Sequence, residues 1–230
     1  MNCTICLSSL RPVLNWTNLV KRQKTFLLCE DCISKLEIIE GERCNMCCRP
    51  FALVDARFKK GDVCLDCYKW ESNPSWKGML DGNTSIFRYN DFLKEKIAQF
   101  KYRGDHQVAG AFAEYFPKIL VKGRVVTPIP LSAERLYERG FNQAEAILEY
   151  AQIKYKPLLT RTHGEKQSKK ERQDRLENTA AFSAAINTGC NAQHVLLVDD
   201  IYTTGATVRQ AAKVLKAAGA ITVYSFTIAR

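Results

Sequence analysis

Residues 195–207, VLLVDDIYTTGAT, limit the fold more tightly than any other part of the chain. Val195, Leu196, Leu197 and Val198 form an unbroken apolar run, the pattern of a strand covered on both faces, as in a parallel sheet between helices. Asp199 and Asp200 end that run where an open α/β sheet presents its ligand edge, and carboxylates there can accept hydrogen bonds from vicinal hydroxyls. Thr203, Thr204, Gly205, Ala206 and Thr207 then open a helix. Small side chains let the backbone come close to a phosphate, and the unpaired N–H groups of a helix start favour an anion. Val208, Ala211, Ala212 and Leu215 supply the inward stripe of that helix, with Arg209, Lys213 and Lys216 expected outside. Gly219 is its expected stop, and Ile221–Ile228 the next strand.

Eight of the ten cysteines fall into four C-x2-C pairs: Cys3 and Cys6, Cys29 and Cys32, Cys44 and Cys47, Cys64 and Cys67. A C-x2-C turn presents two thiolates to one ion and tetrahedral zinc takes four, so the pairs predict two structural zinc ions. Sequential and cross-braced pairing both satisfy that count. Cys48 and Cys190 are expected to be spare thiols. Disulfide stapling would need an oxidising compartment. The first residues, MNCTICLSSLRPVL, lack the basic and long apolar segments of a leader, and no stretch approaches 18 apolar residues, so a cytoplasmic protein without membrane insertion is expected.

The chain carries 34 Lys and Arg against 24 Asp and Glu, a formal charge of +10. Two four-thiolate zinc sites lower this to about +6. The stretch 161–175, RTHGEKQSKKERQDR, concentrates the basic excess with almost no apolar residue and is expected to be a solvated loop. Such composition suits a contact with phosphates as well as a bland surface. Residues 71–85, rich in Pro, Gly, Asn and Ser, read as a linker. They divide a cysteine module at 1–70 from an α/β domain at 86–230 that opens on a short strand at Ile86–Tyr89.

Within the second part, Asp91 is the expected cap of a helix with Leu93, Ile97 and Phe100 inward, ending in KYRGD. A second helix turns Ala109, Phe112, Ala113 and Phe116 inward, and Val125–Ile129 is a strand leading into PIPLS. A loop then reaches Arg135 and Arg139, and a helix with a polar start suited to an anion runs from Asn142 to Tyr150. His106, His163 and His194 stand in no general-base motif.

VDDIYTTGAT resembles the 5-phosphoribosyl diphosphate (PRPP) signature of the type I phosphoribosyltransferases. Together with PIPLS, ERLYERGFNQ, KYRGD and the N-terminal C-x2-C pairs, the chain resembles the ComF family of competence proteins, of its late, ComFC type, over nearly its whole length. The resemblance implies an α/β fold, an open and mainly parallel sheet with flanking helices, behind a small double zinc-ribbon module. It implies ribose hydroxyls, and indirectly magnesium, at Asp199 and Asp200, the 5-phosphate at Thr203, Thr204, Gly205, Ala206 and Thr207, and the diphosphate at Leu131 and Ser132. Arg135 and Arg139 either assist the diphosphate or brace the loop through Glu134 or Glu138. The loop around Gln167, Lys169, Lys170 and Arg172 corresponds in position to one that closes over PRPP, and alternatively tracks a nucleic acid backbone. The implied role is in natural transformation, handling single-stranded DNA beside a translocase ATPase of the ComFA type, with Tyr102 and Phe141 as candidate stacking aromatics. An active phosphoribosyltransferase on another acceptor is the alternative, although no segment reads as a base-recognition hood.

Overall fold

The computed structural model describes residues 2–10, 28–102, 105–161, 182–185 and 193–230. Lys169, Lys170, Arg172, Gln167 and Cys190 lie outside the described residues. The centre is a four-stranded sheet formed by Gly82–Phe87 (β3), Val125–Pro128 (β4), His194–Ile201 (β7) and Thr222–Ala229 (β8). Its order is β3-β8-β7-β4, and every neighbouring pair is parallel. Two short antiparallel pairs accompany it: Lys59–Lys60 (β1) with Val63–Cys64 (β2), and Leu159–Arg161 (β5) with Phe182–Ala184 (β6).

Alternation along β7 assigns the two faces. Leu196 and Val198 pack with Asp91–Tyr102 (α3), Gln107–Ala113 (α4) and Gln143–Tyr150 (α6) through Leu93, Ile97, Phe100, Phe112 and Ile147. Val195 and Leu197 face the other way, onto Val208, Ala211, Ala212 and Leu215 of Ala206–Ala217 (α7). Each layer also takes in one cysteine group. Cys3, Ile5, Cys32 and Leu36 belong to the first core, and Cys44, Cys47, Cys64, Cys67 and Leu80 to the second. Both sheet faces are therefore completed by residues from before position 81.

The two cysteine units repeat one local design. In each, a C-x2-C turn closes through the N–H of the following residue, Leu7 to Cys3 O and Cys48 to Cys44 O, both at 2.9 Å and both with positive φ. The second pair of each opens a short helix: Glu30–Lys35 (α1) follows Cys29, and Leu65–Ser72 (α2) follows Cys64.

Several expectations change in detail. β3 starts at Gly82, four residues before the apolar signal at Ile86, because its early residues pair polar side chains instead of burying apolar ones. Ser85 Oγ meets Thr227 Oγ1 at 2.7 Å, and Asn83 bridges Ser85 and Ser225, all four residues being buried. Asn90, not Asp91, caps α3, accepting from Leu93 N at 2.9 Å. Residues after Ser132 form a helix, Ala133–Arg139 (α5), which buries none of its residues and so left no apolar stripe to read. Arg209 lies fully buried, because α2 covers the flank of α7 on which it stands.

Candidate functional site

Asp199 and Asp200 occupy the last turns of β7 at the carboxyl edge of the sheet, where alternation separates them. Asp200 points toward α3 and forms an ion pair with Lys101 Nζ at 2.5 Å. Asp199 faces the opposite layer. Burial, together with the charge of Asp200, pushes its carboxyl up to about 7. Arg161, at the end of β5, shares this space: burial lowers its pKa first, the charge of Arg135 lowers it further, and Asp199 opposes both. Arg139 adds to the same positive field. Three arginines around Asp199, beside the Lys101–Asp200 pair, thus give this edge four cations against two acids, the balance expected around a polyanionic ligand. Lys101 carried no role of its own in the sequence, and Arg161, expected to begin a solvated basic loop, instead ends β5, half-buried. The signal that could have found Lys101 was its place in KYRGD at a helix end facing an acid pair.

The segment after β4 is shaped by GFNQ. Ile129 N continues the ladder to Val198 O at 2.9 Å, and Asn142 Nδ2 holds Ile129 O at 3.0 Å. Asn142 Oδ1 accepts from Ala144 N at 3.0 Å, so the polar start expected to suit an anion is occupied by its own cap. Gly140 ends α5 with φ 76°, and Gln143 Oε1 receives Arg139 Nη1 at 2.9 Å. Arg139 is therefore braced by Gln143, and not by Glu134 or Glu138, which the bracing alternative had named. Its Nε is buried without a hydrogen-bond partner among the described residues. Leu131 and Ser132 stand partly exposed between Ile129 and α5, with Ser132 Oγ accepting from Arg135 N at 3.3 Å. Of the candidate aromatics, Tyr102 is 69% exposed with the Arg139 guanidinium 5.7 Å from its ring, whereas Phe141 packs against Phe100 and His106.

Thr203 and Thr204 are exposed, Gly205 is buried, and Ala206 and Thr207 begin α7. Gly205 has φ 83°, and a Cβ there would run into the Tyr202 ring. The glycine is thus dictated by the chain's own tyrosine. Behind the turn, Trp70 Nε1 donates to Thr204 O at 3.0 Å and Arg230 Nη1 to Thr203 O at 2.5 Å.

The eight paired cysteines gather into Cys3, Cys6, Cys29, Cys32 and Cys44, Cys47, Cys64, Cys67, with all Sγ atoms of a group within 4.8 Å. Pairing is sequential. Cys6 and Cys29 Sγ lie 3.6 Å apart, and Cys47 and Cys64 Sγ 3.7 Å. Four sulfurs about 2.3 Å from a tetrahedral zinc would be about 3.8 Å apart, so both groups fit one ion. Within the second group the thiols perturb one another, Cys47, Cys64 and Cys67 lowering Cys44 while Cys44, Cys47 and Cys64 raise Cys67, a crowding that a bound cation would relieve. Backbone donors reinforce the sulfurs, Cys29 N to Cys3 and Cys64 N to Cys44. Cys48 stands apart from the second group, with its Sγ on Asn83 O at 3.1 Å.

A competence protein ComFC of Bacillus subtilis (strain 168) is 37% identical over 99% of this chain and 94% of its own length. The chain belongs to the ComFC family. The ComFC of Streptococcus pneumoniae is 33% identical over the full length of both. Competence protein F of Haemophilus influenzae is 26% identical over 73% of the chain and 78% of its own. No family model matches. Among solved structures, a glutamine PRPP amidotransferase from B. subtilis overlaps 56% of the chain and 26% of its own, at TM-score 0.37 and 22% identity. A hypoxanthine phosphoribosyltransferase from Staphylococcus aureus overlaps 53% of the chain and 62% of its own, at TM-score 0.34 and 13% identity.

Proposed function

We propose that this ComFC-family chain serves DNA uptake as a cytoplasmic competence protein, with a PRPP site at the carboxyl edge of its sheet. The convergence of Lys101, Arg135, Arg139 and Arg161 on the Asp199–Asp200 edge, beside an exposed Thr203–Thr204 turn, carries this reading. Ribose hydroxyls would bond Asp199 and Asp200. Thr203 to Thr207 would hold the 5-phosphate, and Leu131, Ser132, Arg135 and Arg139 the diphosphate. Magnesium, when bound with PRPP, supplies charge neutralisation at the diphosphate. Zinc would occupy both cysteine groups as a cross-link of each core.

Single-stranded DNA would follow the basic stretch through Lys169, Lys170 and Arg172, with Tyr102 as a stacking surface, in concert with a translocase ATPase. Calorimetric titration of PRPP with magnesium into the zinc-loaded chain tests the pocket. Micromolar binding should vanish in the Asp199→Asn/Asp200→Asn double variant, and heat unchanged by that substitution would refute the assignment. Salt-sensitive binding of single strands should weaken on charge reversal at Lys169 and Lys170.

One observation favours a second reading, active phosphoribosyl transfer. A carboxyl at about 7 is placed to exchange a proton at neutral pH. That reading requires magnesium-dependent diphosphate release across an acceptor panel, abolished by Asp199→Asn.

A further inference from the structure

The turn that would take the 5-phosphate is held from behind by the second cysteine unit. Arg230, after β8, reaches between the two. Its Nη1 donates to Thr203 O at 2.5 Å and Tyr202 O at 3.3 Å, while Nη2 lies 3.4 Å from Cys47 Sγ. Its guanidinium stacks over the Tyr202 ring at 5.0 Å. From α2, which Cys64 and Cys67 anchor, Trp70 holds Thr204 O and Glu71 pairs with Arg209 at 2.8 Å. Gly205 O accepts the backbone N–H of Arg209 at 3.0 Å, the first helical bond of α7.

Four successive carbonyls, 202 to 205, are thus engaged. A trans peptide places each carbonyl opposite the following N–H. Drawing the carbonyls of 202, 203 and 204 toward the cysteine unit therefore turns the N–H groups of 203, 204 and 205 away from it, which is how a backbone presents donors to an anion. Charge supports the same link. Four thiolates around a divalent ion carry a net charge of about −2, and Arg230 and the buried Arg209 are the cations placed against this group.

We infer that Arg230 is a positioning residue through which the second metal centre, and not the first, sets the anion-binding shape of the 203–205 turn. The inference rests on the reading of that turn as a phosphate site. Unlike that reading, it concerns the shape of the turn whether or not ligand is present.

The test uses the full chain with both metals, as parent, Arg230→Met and Arg230→Lys, and as Cys6→Ser to empty the first centre. Metal per chain, amide hydrogen exchange of peptides spanning 202–208, and calorimetry with magnesium PRPP are measured on each. Arg230→Met should speed exchange in the turn about tenfold or more and weaken PRPP binding about tenfold. Arg230→Lys keeps the charge but cannot span sulfur and two carbonyls, so it should show the same change in smaller degree. Cys6→Ser removes an exposed ligand, keeps Cys3 and Cys32 in the α3–α4–α6 core and leaves the α7 face covered, so it should leave exchange of the turn, read relative to that of β7, as in the parent. Parent-like exchange in the turn of both Arg230 variants overturns the inference, as does an equal loosening of the turn by Cys6→Ser beyond any loosening of β7. Should Arg230→Met unfold throughout, Arg230→Lys decides alone. Exchange that responds while no form binds PRPP keeps the linkage and removes the phosphate reading; intact PRPP binding with unresponsive exchange does the reverse.

Discussion

Asp199 and Gly205 show how single residues are placed under constraint at the sheet edge. Burial raises Asp199 to about 7, so between about pH 4 and 7 the folded chain keeps a proton that the unfolded chain has released. That contribution to stability is complete below the unfolded value and fades as pH rises through 7. Asp199→Asn cannot ionise and escapes the loss. Its stability relative to the parent, measured by urea unfolding without ligand, should therefore improve by about 1 kcal/mol from pH 6 to pH 8. A difference independent of pH would show that Asp199 titrates normally. At Gly205, alanine meets both the positive φ and the Tyr202 ring, and should cost roughly 2–5 kcal/mol in the same assay. A cost below about 1 kcal/mol would mean that the turn adapts freely.

At the scale of elements, periodicity served well where one stripe met one core. α7 and α3 present the apolar residues that their spacing implied, and β7 carries its acids at the edge, whereas α4 is buried continuously from Val108 to Ala113 and ends before Phe116. It failed where burial had another source. Asn83, Ser85, Ser225 and Thr227 satisfy one another inside the β3–β8 pair, so β3 begins in a polar stretch. Arg209 is buried against Glu71 and Trp70, partners 138 and 139 positions away that no helical repeat reveals. GFNQ was legible as a motif but not as a mechanism. Its asparagine both caps α6 and fastens Ile129 O, joining a helix start to the loop after β4. Asn142→Ala should lose both bonds and cost about 2 kcal/mol. The loss of order should concentrate at 129–132, readable as faster amide exchange there, while a purely local effect on α6 would leave those residues protected.

For the whole molecule, the cysteine spacing announced two four-cysteine groups able to hold a metal, yet spacing could not show which core each would enter. Cys3 and Cys32 lie in the α3–α4–α6 layer with Leu196 and Val198, and Cys44, Cys47, Cys64 and Cys67 in the α7 layer with Val195 and Leu197. Removing the metals leaves four crowded thiols inside the α7 core and two, Cys3 and Cys32, inside the other with no cation to bind them, and the sheet then loses cover on both faces. Chelation should consequently unfold the sheet together with the cysteine units. A single transition followed by near-ultraviolet circular dichroism and by amide exchange of β7 and β8 is expected, because folding and metal binding are one equilibrium here. A chain beginning at residue 86 should fail for the same reason, having also lost Gly82–Ser85 from an edge strand whose polar partners remain in β8. If such a chain instead keeps protected amides at 195–198, the sheet folds without the cysteine units, and those units are attachments to an independent domain.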